Sequence, residues 1–203
     1  MNKVFIGCFM LPAVIMAAFQ LKSPTSIPGP QSKDLREALG KWEFIASEST
    51  LGFKIDNMWW SSVSGTVGGM KGSAHIKEGI TSSELNFSLD ANSFKTGIKT
   101  RDEHLKGKDF FDVPVYPVIQ FKGNSIAEVN KEKRYVLKGD LTIKGKTKPI
   151  EVPFDFAGIE NNKAVFQGEA LVNKKDFNLD EFKGMGMGDV ATVTFTVKAK
   201  RDE

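Results

Sequence analysis

At least five stretches of this chain alternate apolar and polar residues with a period of two. Leu51-Phe53-Ile55 alternates with Gly52, Lys54 and Asp56, and Leu85-Phe87-Leu89 with Asn86, Ser88 and Asp90. Tyr135 to Ile143, Ile150 to Phe156 and Val193 to Ala199 carry the same pattern. In extended backbone a period of two turns successive side chains to opposite faces. Each stretch therefore has one face for a core and one for water, as in a half-buried antiparallel strand. Further strands are expected at 42–47, 61–68, 72–78, 117–129 and 164–174. About ten short strands with turn signals between them argue for a sandwich or a barrel. Gly139 and Gly168 fall inside strand patterns, where glycine marks a bend such as a barrel makes. No repeat of 20–50 residues is visible, which argues against a propeller.

One stretch breaks the alternation, Thr100 to Phe121, TRDEHLKGKDFFDVPVYPVIQF. Thr100 and Glu103 have the spacing of a capping box, which predicts a short helix from Arg101 to about Phe110. Leu105 and Phe110 are its apolar anchors, and Pro114 and Pro117 force extended backbone into Val118-Ile119-Gln120-Phe121. A helix this short is marginal by itself in water, so it needs a surface to lie on. The expectation is a plug or lid across one end of a barrel, docked through Phe110 and Phe111.

Residues 1–19 read as a secretory signal peptide: Lys3, then an uncharged apolar run from Val4 to Phe19, then small residues at Ala17 and Ala18. The run is short for a membrane span, although an uncleaved anchor is the alternative. The expected location is periplasmic or secreted. Cleavage there would remove Cys8, the chain's one cysteine, leaving a domain held by its core alone. Residues 20–40 have linker composition, with Pro24, Pro28 and Pro30. Asp34 to Leu39 could add a helical turn or two, capped by Ser32, stopped by Gly40 and loosely docked. Residues 41–203 form the barrel domain.

The lysines are scattered and the net charge is +3, so no basic stripe points to a nucleic acid. No GxSxG, HExxH or P-loop is present. The two histidines are His75, within a strand pattern, and His104, in the helix block beside Arg101, Asp102 and Asp109. The polar groups of that block read as locks that hold the helix to the barrel. An acid–base role for His104 would need a nucleophile or oxyanion donors, and none is legible. No catalytic residue and no metal ligand is assigned. Asp176, Asp180, Glu181 and Asp189 lack the spacing of a calcium loop and read as solvated carboxylates.

Large apolar groups gather where loops or barrel mouths should lie. These are Met58-Trp59-Trp60, Phe110-Phe111, and Phe177, Phe182, Met185 and Met187 around a glycine-rich segment. Methionine adapts to ligands of varied shape, and an eight-stranded barrel can hold one small ligand. Taken singly, each group could simply cap the core; together they suit an apolar cavity.

Three blocks carry a family resemblance. The first is Arg101-Asp102-x-His104-Leu105, Asp109-Phe110-Phe111-Asp112-Val113 and Tyr116-Pro117-x-Ile119-x-Phe121. The second is Gly139 to Gly145 followed by Lys148-Pro149-Ile150. The third is Asn173-Lys174-Lys175-Asp176-Phe177, where the family usually has Asn-Arg-x-x-Phe. The chain from Trp42 to Lys200 resembles the YceI-like family of exported bacterial proteins. The resemblance implies an all-β, lipocalin-like antiparallel barrel of about eight strands that binds an isoprenoid or other lipid-like chain. Inward residues Phe53, Phe87, Phe121, Leu141 and Phe154 would then contact the chain. Trp59, Trp60, Phe110, Phe111, Met185 and Met187 would build the mouth. The family commonly has Asp-x-x-His-Ser before its first long strand and His-x-x-Val after it. Here Ala46 to Thr50 reads ASEST and Asn57-Met58-Trp59-Trp60 takes the second site, so no head-group contact by those histidines carries over.

The expected role is that of a non-enzymatic carrier for a hydrophobic small molecule. No cofactor is implied beyond a bound polyisoprenoid, quinone-type or fatty-acyl lipid. A transient membrane contact and a homodimer are compatible with this reading. Two alternatives stand beside it: an envelope-stress or interaction barrel packed solid inside, and an enzyme acting on an isoprenoid through His104, Asp102 or Asp109.

Overall fold

The computed structural model describes residues 32–57, 61–129, 134–179 and 187–202. Among the described residues ten strands form one antiparallel sheet. They are β1 (Gly40–Phe44), β2 (Thr50–Asn57), β3 (Ser62–Thr66), β4 (Lys71–Ile76), β5 (Glu84–Asp90), β6 (Val118–Glu128), β7 (Arg134–Ile143), β8 (Lys146–Glu160), β9 (Lys163–Asn173) and β10 (Met187–Arg201). One α-helix, α1 (Lys99–Lys106), lies between β5 and β6.

The sheet closes on itself because β10 has two partners along one edge. Its last residues pair with β1, Trp42 opposite Arg201 and Phe44 opposite Ala199. Its earlier residues pair with β2, Thr50 opposite Thr196 through Phe53 opposite Val193. β1 also pairs with β4, so β1 and β4 to β10 make a closed eight-stranded barrel. The β2–β3 hairpin widens the wall towards the α1 end. Closure pairs both edges of the barrel strands, which an open sheet would offer to other chains, and leaves β3, paired only with β2 and bridged to Lys95 at Thr66, as the outer strand.

The inward face is the apolar face of the alternation. Along β7, Tyr135, Leu137, Leu141 and Ile143 are buried. Along β8, Val152, Phe154 and Phe156 are buried in the same way. Gly139 and Gly168 are required to be glycine by the close approach of neighbouring groups. A Cβ at Gly139 would lie 2.4 Å from the Lys122 carbonyl oxygen and 2.6 Å from Phe121 Cζ. A Cβ at Gly168 would lie 2.3 Å from the Pro153 carbonyl oxygen and 2.7 Å from Phe195 Cζ. In each case an aromatic ring from the facing strand folds over the glycine.

The end opposite α1 is solid. Leu35, Ala38, Trp42, Ile126, Phe156, Ala164 and Ala199 are fully buried there. This corrects the expectation that 34–39 is loosely docked. The segment forms a 3-10 turn, Leu35–Ala38, in which side chains three apart eclipse. Leu35 and Ala38 therefore point together into the base of the barrel. Asp34, and not Ser32, caps the turn by accepting from the Arg36 N–H. The Ser32 hydroxyl instead accepts from the Phe156 N–H at 3.2 Å.

Tyr135 ties this plug to the barrel, its hydroxyl accepting from the Leu35 N–H at 2.8 Å. Tyr135→Phe leaves that buried N–H without its partner, so a loss of about 1–3 kcal/mol is expected in chemical denaturation. Burial raises the Tyr135 hydroxyl above its ordinary pKa. The stability tied to the neutral phenol is therefore complete below about pH 10 and is lost as pH rises through the folded value. The phenylalanine variant should lack that alkaline component.

At the other end, α1 begins two residues before the expected start. Ile98 is its N-cap, with no side-chain hydrogen bond, and Thr100 sits inside the first turn. The expected capping box is absent. The helix also stops at Lys106 instead of Phe110, because the Gly107 N–H turns back to the His104 carbonyl. The Phe111 N–H then reaches the Leu105 carbonyl, and this tight reversal drops Phe110 and Phe111 into the barrel mouth.

Candidate functional site

The barrel is hollow between its solid base and α1. The cavity has a volume of about 580 Å³, within the range of small-molecule sites. Its walls are the inward residues of the strands: Leu51, Phe53 and Ile55 on β2, Leu85, Phe87 and Leu89 on β5, Leu137 and Leu141 on β7. Val152 and Phe154 on β8, Phe166 and Ala170 on β9, and Val193, Phe195 and Val197 on β10 complete them.

An aromatic group roofs the cavity. Phe94 stacks on Phe111 with ring centres 4.3 Å apart and meets Phe53 edge-on at 5.6 Å. Phe110 packs against Phe111 at 5.2 Å. Leu105 and His104 of α1 join the same lining. The helix is thus a lid carried on a few aromatic contacts.

A polar latch holds the lid. The Asp102 carboxylate accepts from both the N–H and the hydroxyl of Thr96. The Arg101 guanidinium donates to the Thr96 hydroxyl at 2.8 Å and to its carbonyl at 2.9 Å. Thr96 is anchored in turn, since its neighbour Lys95 bridges to Thr66 of β3. The Thr96 hydroxyl holds the Asp102 carboxyl below its ordinary pKa, against a smaller opposing effect of desolvation. A depressed carboxyl contributes stability above the unfolded value of about 4 and loses it as pH falls through the folded value. The Thr96 amide resonance should therefore move upfield below about pH 4. Asp102→Asn should remove that titration and speed amide exchange across α1, while the strands stay protected.

The residues expected to touch a ligand divide into three groups. Phe53, Phe87, Leu141 and Phe154 line the walls, and Phe110, Phe111 and Met187 line the mouth. Phe121 does not line the cavity. It is fully buried behind Phe87, with their rings stacked at 5.1 Å, because it folds sideways over Gly139. Trp59, Trp60 and Met185 lie outside the described residues, as do residues 1–31.

Sequence reasoning passed over several lining residues. Phe195 lies on the apolar face that the alternation from Val193 to Ala199 defines, but outside the residues expected to touch a ligand. Phe94 lies in a loop with no period, and Ala170 is too small to draw notice. Lys174 carries no periodic signal and stands out only as part of the motif Asn173 to Phe177. It opens the 3-10 turn Lys174–Phe177 after β9, lines the cavity, and is 8% exposed.

Of the three residues named for an acid–base role, His104 lines the cavity. Asp102 is committed to Thr96, and Asp109 is exposed and outside the lining. Among the described residues no cluster of His, Cys, Asp or Glu could hold a metal ion.

Related proteins share this architecture. The YceI-like domain model matches residues 42–199. A UPF0312 protein of Photorhabdus laumondii is 32% identical over 145 residues, covering 68% of this chain and 74% of its own. A UPF0312 protein of Pseudomonas syringae is 32% identical over 140 residues, covering 66% of this chain and 71% of its own. Among solved structures, Burkholderia cenocepacia BcnA superposes with a TM-score of 0.70 at 22% identity, covering 77% of this chain and 99% of its own. A polyisoprenoid binding domain from Saccharophagus degradans superposes with a TM-score of 0.62 at 15% identity, covering 79% and 98%. A closed barrel with a solid base, a short helix across its mouth and a domain match over most of its length place this chain in the YceI-like family.

Proposed function

We propose that this protein is a non-enzymatic, exported carrier that holds one apolar chain inside the barrel. The observation that carries the reading is the hollow interior, about 580 Å³ walled almost wholly by Leu, Ile, Val and Phe. Empty apolar space of this size forfeits dispersion contacts that a ligand would restore. At roughly 30 Å³ for a group the size of water, the cavity takes on the order of twenty carbon atoms.

The energetics suit a reversible carrier. Burial is worth about 0.8 kcal/mol per CH2, so ten buried carbons contribute about 8 kcal/mol gross. Micromolar binding needs about 8 kcal/mol net, and ordering the chain costs several kcal/mol more. Some fifteen to twenty buried carbons are then enough. A polyisoprenoid, a quinone-type lipid with its tail inside, or a fatty-acyl chain all meet that requirement. The relation to the Saccharophagus degradans polyisoprenoid binding domain supports the first of these.

The rim of the mouth offers Ile98, Val115, Tyr116 and Val118 to solvent, near the basic hairpin tip Lys144, Lys146 and Lys148. Such a rim suits brief contact with an anionic membrane surface, where a lipid could be taken up or released. Native mass spectrometry of the exported protein, with solvent extraction of the same sample, tests the carrier reading. A stoichiometric extra mass that extracts as a prenyl, quinone or acyl lipid supports it. A clean unliganded mass with no uptake of offered lipids would overturn it, in favour of an interaction barrel.

A further inference from the structure

Lys174 is the one charged side chain buried among the described residues. It sits where β9 gives way to the 3-10 turn, and it lines a cavity that is otherwise nearly all hydrocarbon. Among the described residues its Nζ has one hydrogen-bond contact, the Met187 carbonyl oxygen at 3.5 Å. That is beyond the usual range of about 2.7–3.2 Å for N–H···O. The turn itself is fixed, since Asn173 caps it by accepting from the Lys175 N–H, and Asn178 closes it in the left-handed conformation. Among the described residues no carboxylate pairs with this ammonium.

Burying a cation in apolar surroundings is unfavourable unless it is paired. The acidic residues of the turn and of the facing end of β10 do not supply the partner. Asp176 is exposed, and Asp189 pairs with Lys175 instead. No Asp or Glu among the described residues lines the cavity. Arg101 lines it too, its guanidinium turned to Thr96. The electrostatics of the lining are thus one-sided, positive at the lid end and neutral below.

We propose that the chain held in the barrel carries an anionic head group, carboxylate or phosphate, and that Lys174 is its counter-ion. The inference rests on the carrier reading and adds the class of head group to it. The tail runs down between Phe154, Phe166 and Val197 towards the solid base. The head stays at the level of α1, where Lys174 donates to its oxygens. Charge-assisted hydrogen bonds of this kind discriminate by about 10- to 100-fold against a neutral head.

The test is calorimetric titration of full-length protein stripped of lipid, with two pairs of ligands matched in chain. One pair is an eighteen-carbon unsaturated fatty acid and its primary alcohol; the other is geranylgeranyl monophosphate and geranylgeraniol. Each anion should bind about 10- to 100-fold more tightly than its alcohol. A larger ratio in the first pair assigns a carboxylate head, and a larger ratio in the second a phosphate. Lys174→Met should bring both ratios close to one, and Lys174→Arg should keep them. The wild-type ratios need no variant, so they stand even if Lys174→Met does not fold. Equal binding of anion and alcohol by the wild-type protein, or a ratio that survives Lys174→Met, overturns the head-group assignment and leaves the carrier standing. Failure of all four ligands to bind overturns the carrier reading, and the assignment with it.

Discussion

Replacing Trp42 with alanine is expected to destabilise the barrel by about 3–5 kcal/mol, the range for deleting a buried aromatic ring. Trp42 is fully buried at the base. Its indole N–H donates to the Ala38 carbonyl at 2.7 Å, and the Arg201 guanidinium lies 4.7 Å above the ring. The backbone at Trp42 pairs with Ala74 on β4 and with Arg201 on β10. One side chain thus joins the plug, the closing seam and the floor of the barrel. The loss should fall at the upper end of the range, because the Ala38 carbonyl also loses its donor. A domain of this kind has about 5–15 kcal/mol of stability in total, so the variant should be close to unfolding. Denaturant titration followed by circular dichroism measures the change. Trp42→Phe keeps most of the buried ring and should recover more than half of the loss. A shift below about 1 kcal/mol for the alanine variant would mean that the base does not carry the fold.

The strands were the legible part of this chain, and the reason is physical. Period-two alternation is imposed by the pleat itself, so Leu137, Leu141, Phe154 and Phe195 could be placed on an inward face without knowing the partner strands. Alternation says which face a residue occupies and nothing about depth or lean. Phe121 shows the limit: it faces inward as expected, yet its ring lies across Gly139 and leaves the cavity surface to Phe87. The need for a bare glycine on the neighbouring strand is visible only once Gly123 and Gly139 are known to be paired.

Short segments without a period were the least legible. Leu35 and Ala38 offer two apolar positions three residues apart, too few to distinguish a docked plug from a linker. The start of α1 was displaced because Asp102 is engaged by Thr96, a contact made before the helix and outside any capping pattern. Lys174 could not be read as a cavity residue at all. It follows the end of β9, where the alternation stops, and a lysine there resembles any surface lysine.

Ala170→Trp should abolish ligand uptake without unfolding the protein. Ala170 is buried on β9, opposite Val193 of β10, and its methyl group faces the cavity. An indole at this position has open space to enter. In a barrel packed solid the same substitution would overpack the core and cost about 1–3 kcal/mol. In a hollow one it adds contacts, and cavity filling of this kind commonly stabilises by about 0.5–2 kcal/mol. The sign of the stability change therefore reports whether the interior is empty in solution, independently of any ligand. Binding should move the other way. Displacing four carbons of a bound chain removes about 3 kcal/mol at 0.8 kcal/mol per CH2. That is a loss of more than 100-fold in affinity. Thermal denaturation of the unliganded variant, set beside lipid titration of the same sample, reads both quantities. A more stable protein that no longer binds lipid is the outcome the hollow barrel requires. A less stable protein with unchanged lipid binding would place the ligand outside the barrel.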